Sequence, residues 1–539
     1  MEKLMKLLEK NLSSPFWKEN GYVLPKFDRK KVTENTLENP VWLHLGAGNI
    51  FRAFIAKVQQ EMLNEGKTDK GIIVAEGFDY EIIDKAYRAF DNLSVSVSLK
   101  SNGEMEKTLV GSVVESLVID TESPDWDTIK EIFRAPDLQL VSFTITEKGY
   151  NLRDVNMNYF PAVLEDFKAG PGKPVTYIGK VTALCYERYL AGRLPVALVS
   201  MDNCSHNGDR LFSAVSDYAK NWAERGLAEK DFLTYITDGE KVTFPWSAID
   251  KITPRPDETV KKSLESDGLE DIEPVVTSKK TFVAPFVNAE ETQYLVIEDA
   301  FPNGRPVFEG EGVYFADRET VDKFEKMKVC TCLNPLHTCL AVFGCLLGYK
   351  LISEEMKDEQ LRTLVTRIAY DESMPVVIDP GIVSPKDFAD KVLNVRFPNP
   401  YNPDTPQRIA TDTSQKLPIR FGETIKAYMA SEKLDTADLK YIPLVLAGWC
   451  RYLMAMDDMG EAFEPSYDPM LDEVKNYVKD IKLGEDRDFH AELEPILSNE
   501  KIFGVNLYKA GLGDLTEKYF RLMVRGKGAV RRTLAEHLA

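Results

Sequence analysis

The stretch FEKMKVCTCLNPLHT, residues 324 to 338, sets Lys328, Asn334 and His337 close together in an otherwise apolar run. A lysine whose charge is disfavoured by desolvation can accept a proton near neutral pH, and a side-chain amide can hold an oxygen on which negative charge develops. Asn334 and His337 are three apart, so they share a face if the segment is helical. The same residues also suit a helix end. Pro335 lacks a backbone N–H and clashes inside a helix, so Asn334 can cap a new helix that starts at Pro335. Lys326, eight before Asn334, competes with Lys328 for a place on that face. Cys330 and Cys332 are the one close cysteine pair, and core packing is the expected role.

A second chemistry-bearing stretch is VWLHLGAGNIFRAFIAKVQQEM, where Gly46 and Gly48 stand between an apolar strand and an amphipathic helix. Glycines there let the chain turn tightly and let phosphate oxygens reach the first N–H groups of the helix, as in dinucleotide sites. The third glycine of that fingerprint is replaced by Phe51. The next strand, GIIVAEGFDYE, ends with Glu76 and Asp79, where an acid would take the adenosine ribose hydroxyls, Asp79 first and Glu76 close behind. An acid there, with no Arg or Lys in AEGFDYE, favours NAD over NADP. Three further polar clusters close apolar runs: FTITEKGY, SMDNCSHNG and FPWSAIDKITP. Strand ends of an open parallel sheet are where such folds bind ligands.

The elements that position these residues change character along the chain. Up to about residue 300, short β-rich runs alternate with helical stretches, the pattern of a parallel sheet with crossover helices; beyond about 320, helical periodicity dominates. The expected fold is therefore α/β, a Rossmann-type domain over 1–310 followed by a mainly helical domain over 311–539. The charged segment 257–274 reads as a solvated helix. With 86 acidic against 67 basic side chains the formal charge is −19, which argues against nucleic acid and anionic membranes as partners. Apolar runs such as CLAVFGCLLGY are too short to cross a bilayer, and the N-terminus lacks a secretory core, so a soluble, cytoplasmic protein is expected. Seven cysteines without regular spacing make neither a disulfide framework nor a zinc site, and no metal is expected.

Taken in order, GAGNIFRA, TITEKGY, SMDNCSHNG, FPWSAIDKITP, VIEDAFPNGRP, FEKMK with LNPLHT, and RIATDTSQKLPIR resemble the polyol-specific long-chain dehydrogenases. That family includes mannitol 2-dehydrogenase, fructuronate reductase (mannonate oxidoreductase) and tagaturonate reductase, and the likeness spans roughly residues 40 to 470. The resemblance implies an N-terminal Rossmann-type domain binding NAD(P), a helical C-terminal domain, and a metal-independent site between them that interconverts a secondary alcohol and a ketone on an open-chain sugar acid or polyol. It implies Lys328 as general acid/base, Asn203 and Asn334 as oxyanion-binding amides, and His337 as the imidazole that orients the substrate. It implies Asp250, Arg408 and Lys416 as further substrate contacts, and Asn49, Ile50, Thr146 and Glu147 beside the glycine turn as cofactor contacts.

The sequence departs from the family pattern in two places. Lys328 and Asn334 are six apart where the family usually has five, and one extra residue turns an ideal helix by about 100°. Glu325, three before Lys328 as in the family, favours Lys328 with the extra residue after it, Lys326 being the rival, and a π-bulge would absorb that residue. In GAGNIFRAF, Phe51 and Phe54 stand where the family often has histidines. A zinc alcohol dehydrogenase would need ligands that are absent, and the only Tyr-x-x-x-Lys, Tyr22 to Lys26, precedes the first long strand and contains Pro25. An inactive, nucleotide-sensing dehydrogenase fold is the reading from another functional class. Of the substrates, fructuronate with mannonate is favoured, ahead of mannitol with fructose and tagaturonate with altronate; the oligomeric state stays open.

Overall fold

The computed structural model describes residues 4–538, in two compact units. The first runs up to Lys100 and resumes over Glu104–Asp322; the second comprises Ser101–Gly103 and everything from Lys323 onward.

Six parallel strands make the centre of the first unit: β1 (Trp42–Leu45), β2 (Ile72–Glu76), β3 (Val113–Val118), β4 (Leu140–Phe143), β5 (Val196–Ser200) and β6 (Val242–Thr243). Their spatial order is β6-β5-β4-β1-β2-β3, so the order reverses between β1 and β4. This is the arrangement of dinucleotide-binding folds, with the ligand crevice at the reversal. The strands are apolar almost throughout because both faces are covered. Leu43, Ile73, Val141 and Leu198 point into one core, while Trp42, Val74, Leu140 and Val199 point into the other, as the two-residue period of a strand requires. Two smaller sheets flank it: Phe286–Glu290, Ser94–Leu99, Met105–Val110 and Tyr22–Val23 in one, and Ser247–Asp250, Tyr294–Glu298 and Val313–Ala316 in the other. The charged segment near residue 260 forms a helix, Glu258–Asp267, opened by the side chain of Asp257 and closed by Gly268 in the left-handed region.

After Ala316 every described element is helical. The run Arg318–Leu347 is long and apolar enough to cross a membrane by length and composition, which the individual apolar stretches of the sequence do not suggest; 78% of its most apolar window is buried in the protein, the environment of a core helix. It has three parts: α1 (Arg318–Lys326), a π-helical turn over Met327–Cys332, and α2 (Asn334–Leu347). Pro335 lies in the first turn of α2, and the chain breaks at Leu333, with φ −130° and ψ −63°. Behind α2, the helix Tyr441–Tyr452 is almost wholly buried, and its first N–H groups are met from outside: both carboxylate oxygens of Glu372 accept from Lys440, Tyr441 and Ile442. A carboxylate at a helix N-terminus offsets its unpaired donors.

Candidate active site

In the first unit the glycine turn sits at the reversal between β1 and β4. Gly46 has φ +112°, and a Cβ there would lie 2.2 Å from the backbone oxygen of Thr144, whereas a Cβ at Gly48 would meet open space. The backbone thus needs glycine at 46 for the turn itself, and Gly48 keeps the approach to the helix start clear. Phe51, in place of the third glycine, is fully buried and stacks on His44 at 4.2 Å. That histidine is held by Ser142 and Thr144 hydroxyls, and burial pushes it down to about 3, so it is neutral. The helix starts with a π turn over Phe51–Ile55 that carries the buried Arg52, whose guanidinium donates to the side-chain oxygen of Asn49 at 3.0 Å.

Glu76 closes β2, yet both its carboxylate oxygens are already engaged: one accepts from Ala47 N at 2.9 Å, the other from Phe78 N and Asp79 N. It therefore ties the second strand to the glycine turn. Asp79 is buried, with one oxygen accepting from Thr277 at 2.6 Å and the other without a partner. The lack of a basic neighbour within AEGFDYE does not hold in space: Lys279 lies 5.4 Å over the ring of Phe78, which is 67% exposed. Sequence reading missed it because some two hundred residues separate the two positions.

At the end of β4, Thr146 takes φ +66° and Glu147 pairs with Arg210 at 3.0 Å. Asp202 shapes this loop by accepting from Ile145 N and Thr146 N and from the Tyr150 hydroxyl. Asn203 follows at the end of β5 and is exposed, while Asn207, four further on, is fully buried and bonds Ser200 and Ser247. Asp250 ends the strand Ser247–Asp250, opposite Tyr294.

Lys328, Asn334, His337, Arg408 and Lys416 belong to the second unit. Lys328 is buried and Lys326 exposed. Between Lys328 and Asn334 the helix makes a π turn, in which Leu333 N donates to Lys328 O at 3.1 Å, five residues back. Asn334 and His337 then share the first turn of α2. The His337 side chain is 15% exposed, its Nε2 3.2 Å from Asp404 Oδ2. Burial, then the charges of Arg420, Arg408, Arg396 and Lys416, hold its pKa well below the ordinary histidine value.

α3 (Thr413–Arg420) carries Lys416 and, one turn later, Arg420. Lys416 Nζ donates to Ile409 O and Thr411 O, and burial with Arg420 lowers it to about 8. Arg420 Nη1 donates to Asn334 O at 3.3 Å and Thr338 Oγ1 at 2.5 Å, and burial brings it to about 10. Arg408 pairs with Asp404, itself buried. Arg420, Arg396 and Asp404 were not singled out in the sequence; the four-residue step from Lys416 to Arg420 was the available signal, masked by Pro418 between them. Among the described residues no His, Cys, Asp or Glu cluster has the make-up of a metal site, and all seven cysteines are free thiols.

Two family models match the chain, the mannitol dehydrogenase Rossmann domain over residues 41–310 and the mannitol dehydrogenase C-terminal domain over 320–518. It is 56% identical to D-mannonate oxidoreductase of Thermotoga maritima over 522 residues, 96% of each chain, and 29% identical to mannitol 2-dehydrogenase of Aspergillus clavatus, covering 87% of this chain and 88% of that one. Among solved structures, the ternary complex of Pseudomonas fluorescens mannitol 2-dehydrogenase with NAD and D-mannitol matches at TM-score 0.68 and 25% identity over 99% of both chains. A substrate-free D-sorbitol dehydrogenase matches at TM-score 0.78 and 25% identity, covering 98% of this chain and 99% of that one.

Proposed function

The chain belongs to the mannitol dehydrogenase family, and from that premise we propose that it reduces D-fructuronate to D-mannonate with NADH, the oxidation running back over the same groups. It is an NAD-dependent dehydrogenase of polyols or sugar acids. The glycine turn fits the cofactor: Gly46 leaves no room for a side chain, and the space beside Gly48 is open at the helix start, where Asn49, Ile50 and the loop residues Thr146 and Glu147 complete the contacts. The free oxygen of Asp79 suits a ribose hydroxyl, and Glu76 acts by holding the turn that receives the phosphates. When bound, NADH supplies the hydride to the ketone carbon. The chain's own residues manage the charge. Lys328, as the ammonium, gives its proton to the oxygen, while the amides of Asn203 and Asn334 stabilise the developing alkoxide, a role worth ~3 kcal/mol per donor. His337, held neutral, orients a substrate hydroxyl, and Asp250, Arg408 and Lys416 bind the rest of the chain.

The near-full-length likeness to D-mannonate oxidoreductase carries the choice of substrate. A screen of NADH oxidation over fructuronate, tagaturonate and fructose tests it, with fructuronate expected to give the highest kcat/KM. A preference for tagaturonate or fructose would move the enzyme to the corresponding branch, and no turnover on any of them would favour a nucleotide-sensing fold.

A further inference from the structure

In a chain of formal charge −19, the turn bearing Asn334 and His337 is edged by positive charge that the described residues offset only in part. Arg420 is pinned to that turn through Nη1, which reaches Asn334 O and Thr338 Oγ1; among the described residues its Nε and Nη2 find no hydrogen-bond partner and no carboxylate lies within ion-pair distance of it. Lys416, one turn earlier on α3, has no ion-pair partner among the described residues either and spends its ammonium on the carbonyls of Ile409 and Thr411. Of the adjacent acids, Asp468 accepts from Ser414 N and Oγ and Asp404 pairs with Arg408, while Asp412 and Asp468 offset the charge of Lys416 only in part.

We propose that Arg420, with Lys416 beside it, seats the carboxylate of the sugar acid and thereby sets the preference for acids over polyols. This rests on the sugar-acid reading above. A guanidinium fixed along one edge presents its remaining N–H groups in a fork that matches a carboxylate, and Lys416 adds a second positive charge one helical turn away. A hydroxymethyl group in that seat would leave both half-buried cations uncompensated, and sites built around a buried polar partner reject analogues that lack it by large factors. The lowered basicity of both groups fits cations without a counter-ion of their own. The position is apt as well: Arg420, at the end of α3, bonds the backbone of Asn334 on α2, whose side chain is assigned to the reacting oxygen.

Fructuronate and fructose make the test clean, because the ketone end is common to both and the far end is a carboxylate in one and a hydroxymethyl in the other. For Arg420→Met the kcat/KM ratio of fructuronate to fructose is expected to fall by about 10²- to 10³-fold, mainly through KM for the acid, with a far smaller loss on fructose from the Asn334 turn that Arg420 also holds. Arg420→Lys, which keeps the charge and loses the fork, should lose roughly 10-fold in that ratio. Equal loss on both substrates would mean that Arg420 only props the Asn334 turn, and would overturn the proposal. Should Arg420→Met fail to fold, Arg420→Lys and Lys416→Met carry the same comparison: each must lower the ratio, and an unchanged ratio overturns it. If the wild-type enzyme works on tagaturonate instead, the pair becomes tagaturonate and tagatose and the criterion is the same. A wild-type enzyme that reduces no keto acid defeats the sugar-acid reading and this proposal with it, whereas good turnover of a keto acid with an unmoved ratio defeats this proposal alone.

Discussion

His337 Nε2 stands 3.2 Å from Asp404 Oδ2, close enough for an ion pair, yet the two atoms are not aligned as a hydrogen bond and the imidazole is held neutral. Asp404 spends its charge on Arg408, and burial first, then the surrounding cations, favours the uncharged ring. The histidine is thus suited to directing a hydroxyl and unsuited to delivering a proton.

For that reason the pH profile of keto-acid reduction should show no limb from His337 between about pH 5.5 and 7.5, the range where an ordinary histidine titrates. His337→Asn should lower kcat/KM by about 10- to 100-fold without changing the shape of the profile. A wild-type limb near pH 6.5 that disappears in the variant would show the ring ionising in the working enzyme.

Lys328→Ala is expected to reduce turnover by ~10²- to 10⁴-fold, with NADH affinity near normal, because it removes the proposed proton donor and leaves the glycine turn untouched. Lys326→Ala should behave as a surface change, since that side chain is exposed. The reverse pattern would place the other lysine at the chemistry, and two active variants would remove lysine catalysis from this segment.

The two glycines of the turn should respond differently. At Gly46 a methyl group would press on the Thr144 carbonyl and the φ of +112° is unfavourable to any side chain, so Gly46→Ala should weaken NADH binding by at least about 10-fold and lower Tm. Gly48→Ala should fold as the wild type, and NADH titration by fluorescence reads both. Equal NADH affinity in the two variants would mean that the phosphates do not use this turn.

Lys416 gives a pH dependence on the alkaline side. Burial and the neighbouring Arg420 and Arg408 outweigh Asp412 and Asp468 and bring it to about 8, so in the free enzyme its charge is lost as pH rises through that value. The kcat/KM for a keto acid should therefore fall above about pH 8, and that for fructose should fall less. The stability term has the opposite sense: between about pH 8 and the unfolded value of 10.5 only the unfolded chain holds the proton, so this group makes folding more favourable as pH rises. A parallel decline for acid and polyol would dissociate Lys416 from the carboxylate.

Dialysis against a strong chelator should leave activity intact, as expected where no ligand cluster is found among the described residues. Turnover that is lost and then restored by zinc or manganese would reveal a metal requirement.

What could be read before the structure was whatever depends on local period and turn chemistry. The strand alternation, the glycine turn and the change to helix all follow from residues near one another in sequence, and the polar clusters at strand ends follow from the direction of the sheet. Contacts assembled from distant segments were not readable. Glu76 has the right place for a ribose acid, but the nearby Ala47 N–H takes its carboxylate, which depends on how β2 lies beside β1. Asp404 hides in the proline-rich loop YNPDTPQR, where an aspartate reads as a turn residue, and Pro418 obscures the helical step that joins Lys416 to Arg420.

The π turn at Met327–Cys332 bears on how this segment tolerates change in length. A residue added to a regular helix swings everything beyond it by about 100°, but here the surplus is confined between Lys328 and Leu333, leaving the three-residue steps from Glu325 to Lys328 and from Asn334 to His337 as they were. A one-residue change of length at this point is therefore expected to leave the segments on either side of the turn in register. Deleting Cys330 should tighten the turn to an α-helical one and spare much of the activity, whereas deleting a residue between Asn334 and His337 should abolish it.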